Sequence, residues 1–491
     1  MNALRDAVRP TTTVRYRRGE LHEFRAAGQD FIYLVTAGAI FALDDGARRV
    51  LSELNGREMR HDELTDALTR QGFQHGDAED LIRELLLVRG IVSDRDGMAV
   101  SGPETPAADF PLQALVLNIT NQCNLACTYC YEFGADKIAT PRGKPKYMTL
   151  DTAKASVDFL LSQSAGRKGV HITFFGGETL MNFRLLRDVV QYADEQAAER
   201  GKAITYSLTT NATLLTDEII AFLSEKAVGV TVSIDGPADL QDKRRVSKSG
   251  KGTYDVIEPR LRKLIATHRT RAVTARVTLS AGVTDVIRIF RHLKDDIGFH
   301  EIGFAPVTNS GDQDYAISDE DMHDVLRQFR ELANEWQEFA LRGEMHGFSN
   351  VSETIGELFQ GVNKSHPCGA GLGLLGVSPS GDLSPCHRFT DADTHTLGNI
   401  RTGVDADRRE DFLARGHVSA KYACQTCWAR PLCAGGCHHE AFVRYGDTGH
   451  ANLHYCDWIR DWTDTCLTIY GALAVQNPDF LDRFAARKAL S

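Results

Sequence analysis

No cysteine precedes Cys123, no lysine occurs in the first 100 residues, and no hydrophobic run approaches the length of a membrane span. The last absence excludes a helical membrane anchor. The opening MNALRDAVRP lacks the apolar stretch of a secretion signal, so a cytoplasmic location without membrane association is expected. Positive charge is not in surplus either. The net charge is −10, and residues 1–100 set fourteen arginines against seventeen acids, a net of −3. A nucleic-acid binder shows the opposite sign, so no nucleic-acid partner is expected. No internal repeat or low-complexity tract interrupts the 491 residues, a length that suggests two to four domains.

The cysteines are what stands out. Eleven of them, at 123, 127, 130, 368, 386, 424, 427, 433, 437, 456 and 466, leave a cysteine-free head, a middle with one tight triplet and a cysteine-rich tail. An odd number without a secretion signal fits a disulfide framework poorly, whereas tight spacings of reduced cysteines suit metal ligation.

The head reads as a small β-then-α unit. Phe31–Val35 and Ala39–Leu43 are strand-like and joined through Thr36-Ala37-Gly38, a hairpin signal. Asp44 and Asp45 suit a helix start, and helices are expected over His61–Gln71 and Ala78–Arg89. Pro103 and Pro106 mark a linker. Beyond it strand and helix alternate. Strands are expected at 115–119, 171–175, 204–208, 229–234, 273–279 and 301–307. Six βα repeats imply a parallel sheet wrapped by helices, with active residues at the strand C-terminal ends.

Directly after the first of these strands stands Asn121-Gln-Cys-Asn-Leu-Ala-Cys-Thr-Tyr-Cys-Tyr131. Cys123, Cys127 and Cys130, spaced C-x3-C-x2-C in one loop, can ligate three irons of a cubane cluster and leave the fourth open. A zinc site short of its fourth ligand is the competing reading. The spacing, with Tyr129 before the third cysteine, resembles the signature of the radical S-adenosylmethionine (SAM) superfamily, in which SAM chelates the open iron. Further motifs follow in the family's order: Gly176-Gly177-Glu178 after strand two, Asn211 after strand three, and Ser233-Ile-Asp-Gly-Pro237 with Arg245 and Gly250-Lys-Gly-Thr253 after strand four. The resemblance implies that Tyr129, Gly176, Gly177, Glu178, Asn211, Ser233 and Arg245 contact SAM, Glu178 through its ammonium and Ser233 and Arg245 through its carboxylate. A solvated Arg245 among Lys243 and Arg244 is the alternative.

In the tail, Cys424-x2-Cys427-x5-Cys433-x3-Cys437 followed by Cys456 suggests, alone, a zinc ribbon. There are more cysteines than one zinc needs, and the tail resembles the SPASM extension of radical SAM enzymes through Cys368-Gly-Ala-Gly371, Val377–Asp382, Pro385-Cys-His-Arg-Phe389 and Leu397–Ile400. The resemblance implies three [4Fe-4S] clusters in all. One auxiliary cluster would rest on Cys424, Cys427, Cys433 and Cys456. The other would rest on Cys368, Cys386 and Cys437, with Leu374 where some members place a fourth cysteine. Cys466 reads as a buried apolar residue.

The head resembles the PqqD-like recognition element of peptide-modifying enzymes, in which a leader peptide adds as a strand to a sheet edge. The fold expected is therefore α/β: a partial (β/α)6 barrel of TIM type over 106–345, an N-terminal winged-helix-like β+α recognition domain with linker over 1–105, and a C-terminal SPASM domain over 346–491. The resemblance is nearest to maturation proteins of quinohemoprotein amine dehydrogenase, through the GAIFALDD head and the CGAG and PCHRF tail. It implies SAM cleavage to methionine and a 5′-deoxyadenosyl radical, then thioether formation between cysteine sulfur and Asp or Glu methylene carbon. The implied partners are a small cysteine-rich polypeptide and a flavodoxin- or ferredoxin-type electron donor. Sulfatase-maturase chemistry and carbon–carbon crosslinking are the alternatives. For the general base, Asp382, Asp391 and His387 lie in the right segment, and spacing does not choose among them.

Overall fold

The computed structural model describes residues 14–94, 110–139 and 143–489. The linker prolines lie outside the described residues.

The head is built of β1 (Arg15–Arg18), β2 (Leu21–Ala26), β3 (Gln29–Leu34), β4 (Ala39–Ala42), α1 (Asp45–Glu53), β5 (Met59–Arg60), α2 (His61–Arg70), α3 (His75–Leu87) and β6 (Ile91–Ser93). The expected hairpin is the β3–β4 pair, and Asp44 caps α1 by accepting from the Ala47 amide at 2.7 Å. The helix expected from Ala78 starts earlier, at His75, and stops at Leu87. A second hairpin joins β2 to β3 through Ala27 (φ 48°) and Gly28 (φ 81°). Two consecutive positive φ values make the tight turn whose twist suits a hairpin, but alanine at the first of them hides it from a sequence reading.

Period-two alternation gives β3 two apolar faces. Ile32 and Leu34 enter the head's own core with Val50, Leu51, Leu64 and Ile82. Phe31 and Tyr33 join Phe24 and Ala26 in the main core of the molecule. The head therefore packs against the rest through its sheet.

The central sheet holds β7 (Ala114–Thr120), β8 (Gly169–Gly176), β9 (Ala203–Thr210), β10 (Gly229–Ser233), β11 (Val273–Leu279) and β12 (Glu301–Pro306), parallel and in sequential order. Between them run α4 (Leu150–Gln163), α5 (Phe183–Glu199), α6 (Asp217–Glu225), α7 (Ala238–Arg244), α8 (Tyr254–Thr267) and α9 (Val286–Arg291). The six expected strands are all present. Val170, Ile172 and Phe174 of β8 point outward under the helices, whereas Phe175 and the strand ends turn to the lumen. Side chains of Thr149, Thr216 and Asp285 cap α4, α6 and α9. Beyond α9 the chain winds on as a π-helical turn, His292–Ile297, ended by Gly298 at φ 96°.

After α10 (Asp319–Leu341) and α11 (Ser349–Phe359), β13 (Leu374–Val377) adds parallel to β7 on the open side of the sheet. The antiparallel strands β14 (Asp382–Ser384), β15 (Gly398–Asn399) and β16 (Gly403–Val404) extend it further. The tail then folds as α12 (Ala406–Gly416), α13 (Arg430–Cys433), α14 (His438–Tyr445) and α15 (Cys456–Gln476). Among the described residues no helix is long and apolar enough to cross a membrane.

Candidate functional site

The strand ends enclose a cavity of about 580 Å³. Its wall takes side chains from the loop after β7 and from the ends of every strand β8 to β12. It includes all the residues singled out for SAM: Tyr129, Gly176, Gly177, Glu178, Asn211, Ser233 and Arg245. Cys123, Cys127 and Cys130 line the same cavity and also face a second space of about 530 Å³ on the outer side of their loop.

The two glycines have a structural reason to be there. A Cβ on Gly176 (φ 132°) would lie 2.3 Å from the Thr120 carbonyl oxygen, and one on Gly177 would lie 2.5 Å from that of Gln122. Only glycine lets the β8 turn press against the cysteine loop. Glu178 lines the cavity and also braces the strand ends. Its carboxylate is 1% exposed and accepts from Thr210 Oγ1 (2.7 Å), the Asn211 amide (2.7 Å) and the Leu180 amide (3.0 Å). It thereby ties the end of β8 to the end of β9. Asn211 reaches the other way, donating to Asn124 Oδ1 at 3.0 Å inside the cysteine loop.

Arg245 is not a solvated arginine. It is 7% exposed and donates to the Tyr129 hydroxyl at 2.7 Å, which in turn donates to the buried Asp235 carboxylate. Its Nε has no partner among the described residues. Burial raises the Asp235 carboxyl, and the Arg245 charge pulls it back.

The ten cysteines assigned to clusters fall into three groups. For four of them the thiolates that raise the pKa come from the same group: Cys127 for Cys123 and Cys130; Cys437 and Cys368 for Cys386; Cys433, Cys427 and Cys456 for Cys424. Burial is the larger cause throughout, pushing Cys123 to about 11, Cys130 to about 12, Cys386 to about 12 and Cys424 to about 11. Several buried thiols side by side ionise only against a compensating cation. Such a donor set fits an iron–sulfur group. Among the described residues no three of His, Cys, Asp and Glu converge as ligands of one metal ion.

Cys424, Cys427, Cys433, Cys437 and Cys456 line a cavity of about 420 Å³. Cys386 stands nearer the first cavity, whose wall includes the next two residues, His387 and Arg388. Leu374 opens β13, and no fourth cysteine accompanies Cys368, Cys386 and Cys437. Cys466 is fully buried in α15, as expected of a packing residue.

Of the three base candidates only His387 reaches the cavity. Its ring packs 4.4 Å from that of Phe175, and burial with the Arg388 charge lowers its pKa to about 3. Asp391 accepts from Asn121 at 2.7 Å, and Asp382 pairs with Lys144.

Sequence reasoning missed four residues. Arg276 of β11 and Glu132 line the first cavity, and burial with the Asp391 charge lifts the Glu132 carboxyl to about 8. A lone charge inside the apolar run Val273–Leu279 was the available signal for Arg276. Lys421 is 3% exposed, donates to the Ala434 carbonyl at 3.0 Å, and lies in the field of Cys424, Cys433, Cys368 and Cys437, which span both tail groups. Arg430 donates to the Cys427 carbonyl at 3.2 Å and pairs with Glu20 of the head.

Residues 117–295 match the radical SAM superfamily. The serine-type anaerobic sulfatase-maturating enzyme of Bacteroides thetaiotaomicron is 27% identical over 372 residues, covering 70% of this chain and 86% of that protein. The cysteine-type enzyme of Clostridium perfringens is 25% identical over 345 residues, 67% of this chain and 89% of that protein. A solved structure described as native anSMEcpe with bound AdoMet superimposes with a TM-score of 0.61 at 19% identity, over 76% of this chain and 100% of that one. That last likeness is one of fold.

Proposed function

We propose that this radical SAM enzyme is a peptide maturase that joins a cysteine sulfur to a side-chain carbon, an Asp or Glu methylene, in a small cysteine-rich polypeptide. In this reading Cys123, Cys127 and Cys130 hold the SAM-binding [4Fe-4S] cluster. Cys424, Cys427, Cys433 and Cys456 hold a closed auxiliary cluster, and Cys368, Cys386 and Cys437 hold one with an open corner. When bound, these groups and SAM supply a 5′-deoxyadenosyl radical and a sink for one electron.

The chain's own residues bind, orient and exclude water. Ser233 and Arg245 hold the SAM carboxylate, the Gly176-Gly177 backbone brings the β8 turn against the cluster loop, and Phe175 with His387 covers the reacting space. Each crosslink removes two hydrogens from the polypeptide, one as an atom from carbon and one as a proton from sulfur, together with one electron. The head (residues 1–105) binds a leader segment along its sheet, and a flavodoxin- or ferredoxin-type protein delivers the electron that starts each turnover.

The observation that carries the reading is that Cys386 lies in the field of Cys368 and Cys437 while the next residues, His387 and Arg388, line the SAM cavity, with Leu374 in place of a fourth cysteine. A soft, unfilled iron corner suits a substrate thiolate. The sulfatase-maturating relatives favour a second reading, oxidation of a cysteine or serine to formylglycine. Against it, His387 and not an aspartate follows Cys386, the position where the family resemblance implies that sulfatase maturases typically carry their base. Isotope transfer tests the proposal. Polypeptide made with deuterated Asp and Glu methylenes should yield deuterated 5′-deoxyadenosine. Deuterium arriving only from cysteine Cβ would select the formylglycine reading.

A further inference from the structure

The SAM cavity and the cysteine-lined tail cavity share a wall made by Arg276, Ala305, Pro306, Thr308 and Arg388. Two of these five are arginines, and the reaction proposed above uses neither. Arg276 sits in mid-strand. Its neighbours Val273, Ala275, Val277 and Leu279 are fully buried under the outer helices, so Thr274, Arg276 and Thr278 face the lumen and line the cavity. Among the described residues its guanidinium forms no hydrogen bond and no ion pair. The charges whose fields reach it are Glu353, which stabilises its cation, and Arg388, which opposes it. Gly303 on the adjacent strand makes room, since a Cβ there would come within 3.3 Å of Arg276 Nη1. Arg388 is held in place by donating to Thr308 Oγ1 at 2.9 Å and by lying over the Tyr131 ring at 4.8 Å.

Arg276, with no bonded acceptor among the described residues, shares this wall with a second guanidinium whose charge opposes its own, and an anion with forked acceptors relieves the arrangement. SAM brings one carboxylate, and Arg245 beside Cys127 is already placed for it. Arg276, registered beside Ser233 on the next strand, also lines the tail cavity, which Ser233 and Arg245 do not. Its arginine neighbour Arg388 lies in the field of Cys437 and Cys386 of the tail. The anion that fits there comes from the substrate.

We infer that Arg276, with Arg388, reads a side-chain carboxylate of the polypeptide substrate and sets it at the partition between the two cavities, making Arg276 a specificity-determining residue. The inference rests on the peptide-maturase reading. It adds that an acidic residue is selected by charge, whichever bond is made next to it.

Arg276 is the residue to vary, because Arg388 is too near Cys386 for a clean substitution. The probe is a fluorescent, C-terminally amidated Gly-Cys-Gly-Asp-Gly peptide against its Asn counterpart, so that the side chain is the only difference in charge. Binding to the reconstituted holoenzyme is followed by anisotropy with S-adenosylhomocysteine present. A charge-assisted pair of hydrogen bonds predicts an Asp preference of about tenfold in the wild type, falling below about twofold in Arg276→Gln and largely kept in Arg276→Lys. Equal binding of both peptides by the wild type, or none, overturns the inference. So does an Arg276→Gln variant that keeps the preference. A SAM Kd raised about tenfold or more with the preference intact assigns Arg276 to the SAM carboxylate instead and overturns it as well. The two claims fail separately. An Asp preference without any crosslinked product sinks thioether formation and leaves the carboxylate site standing, whereas crosslinking indifferent to Asp and Asn does the reverse.

Discussion

Tyr129 holds a buried charge pair together through one hydroxyl, which accepts from Arg245 and donates to Asp235. Tyr129→Phe leaves both partners buried and unmatched, so it should destabilise the protein by about 1–3 kcal/mol and raise the SAM Kd several-fold. Thermal melting and equilibrium dialysis of the reconstituted enzyme check this, and an unchanged melt would show that water replaces the hydroxyl. Leu374 gives a sharper test of the open corner. Leu374→Cys supplies the fourth thiol that the resemblance implies for some members, so bound iron should stay the same while crosslinking falls about tenfold or more. Crosslinking at the wild-type rate would mean that the corner is not where sulfur binds. The Cys123-Cys127-Cys130 and Cys424–Cys437 motifs stood out in the sequence because their spacings are local, whereas the set Cys368, Cys386 and Cys437 came only from the resemblance. Lys421 and Arg276 did not stand out, because a lone basic residue acquires meaning only when the fold surrounds it with thiols or turns it into a barrel lumen.

At the scale of elements, long apolar runs and alternation made β7 to β12 legible, and side-chain caps fixed several helix starts. What stayed hidden depended on distant pairing or unusual turn chemistry: β13 joining β7, and the Ala27–Gly28 turn. The π-helical turn after α9 leads to a further expectation. His346 is 1% exposed, stacks on Phe290 at 4.8 Å and lies 3.1 Å from Glu335. Burial and the Lys294 charge lower its pKa to about 4 against an ordinary 6.5. The unfolded chain therefore takes up the proton first. The stability His346 contributes is complete above pH 6.5 and is lost as pH falls toward 4, amounting to about 2 kcal/mol at pH 5. His346→Phe, which keeps the stacking and cannot titrate, should flatten the decline in melting temperature between about pH 7 and pH 5. An equal decline in both proteins would show that other groups control it.

Across the whole molecule, the head is docked on the tail at the place where the cysteines gather. His22 stacks on Trp428 with ring centroids 3.7 Å apart and reaches Asp464 at 2.7 Å. Glu20 pairs with Arg430, whose own bond goes to the Cys427 carbonyl. Phe24, Ala26 and Phe31 close over Gly471 of α15, where a Cβ would lie 2.9 Å from that of Ala26. Gly471→Val should wedge this contact apart. Overpacking of about 1–3 kcal/mol exceeds the few tenths gained in helix propensity. Peptide turnover should fall while 5′-deoxyadenosine formed without peptide stays the same, and limited proteolysis should cut the head free sooner. Loss of both activities together would place the defect in the core.

The central claim, thioether formation, meets its most direct test in high-resolution mass spectrometry of a cysteine-rich polypeptide co-expressed anaerobically with the enzyme. The account predicts a loss of two hydrogens for each modified cysteine, resistance of those cysteines to alkylation, and fragments that put the link on Asp or Glu. Loss of two hydrogens with every thiol still open to alkylation would contradict it and point to carbon–carbon crosslinking or simple dehydrogenation.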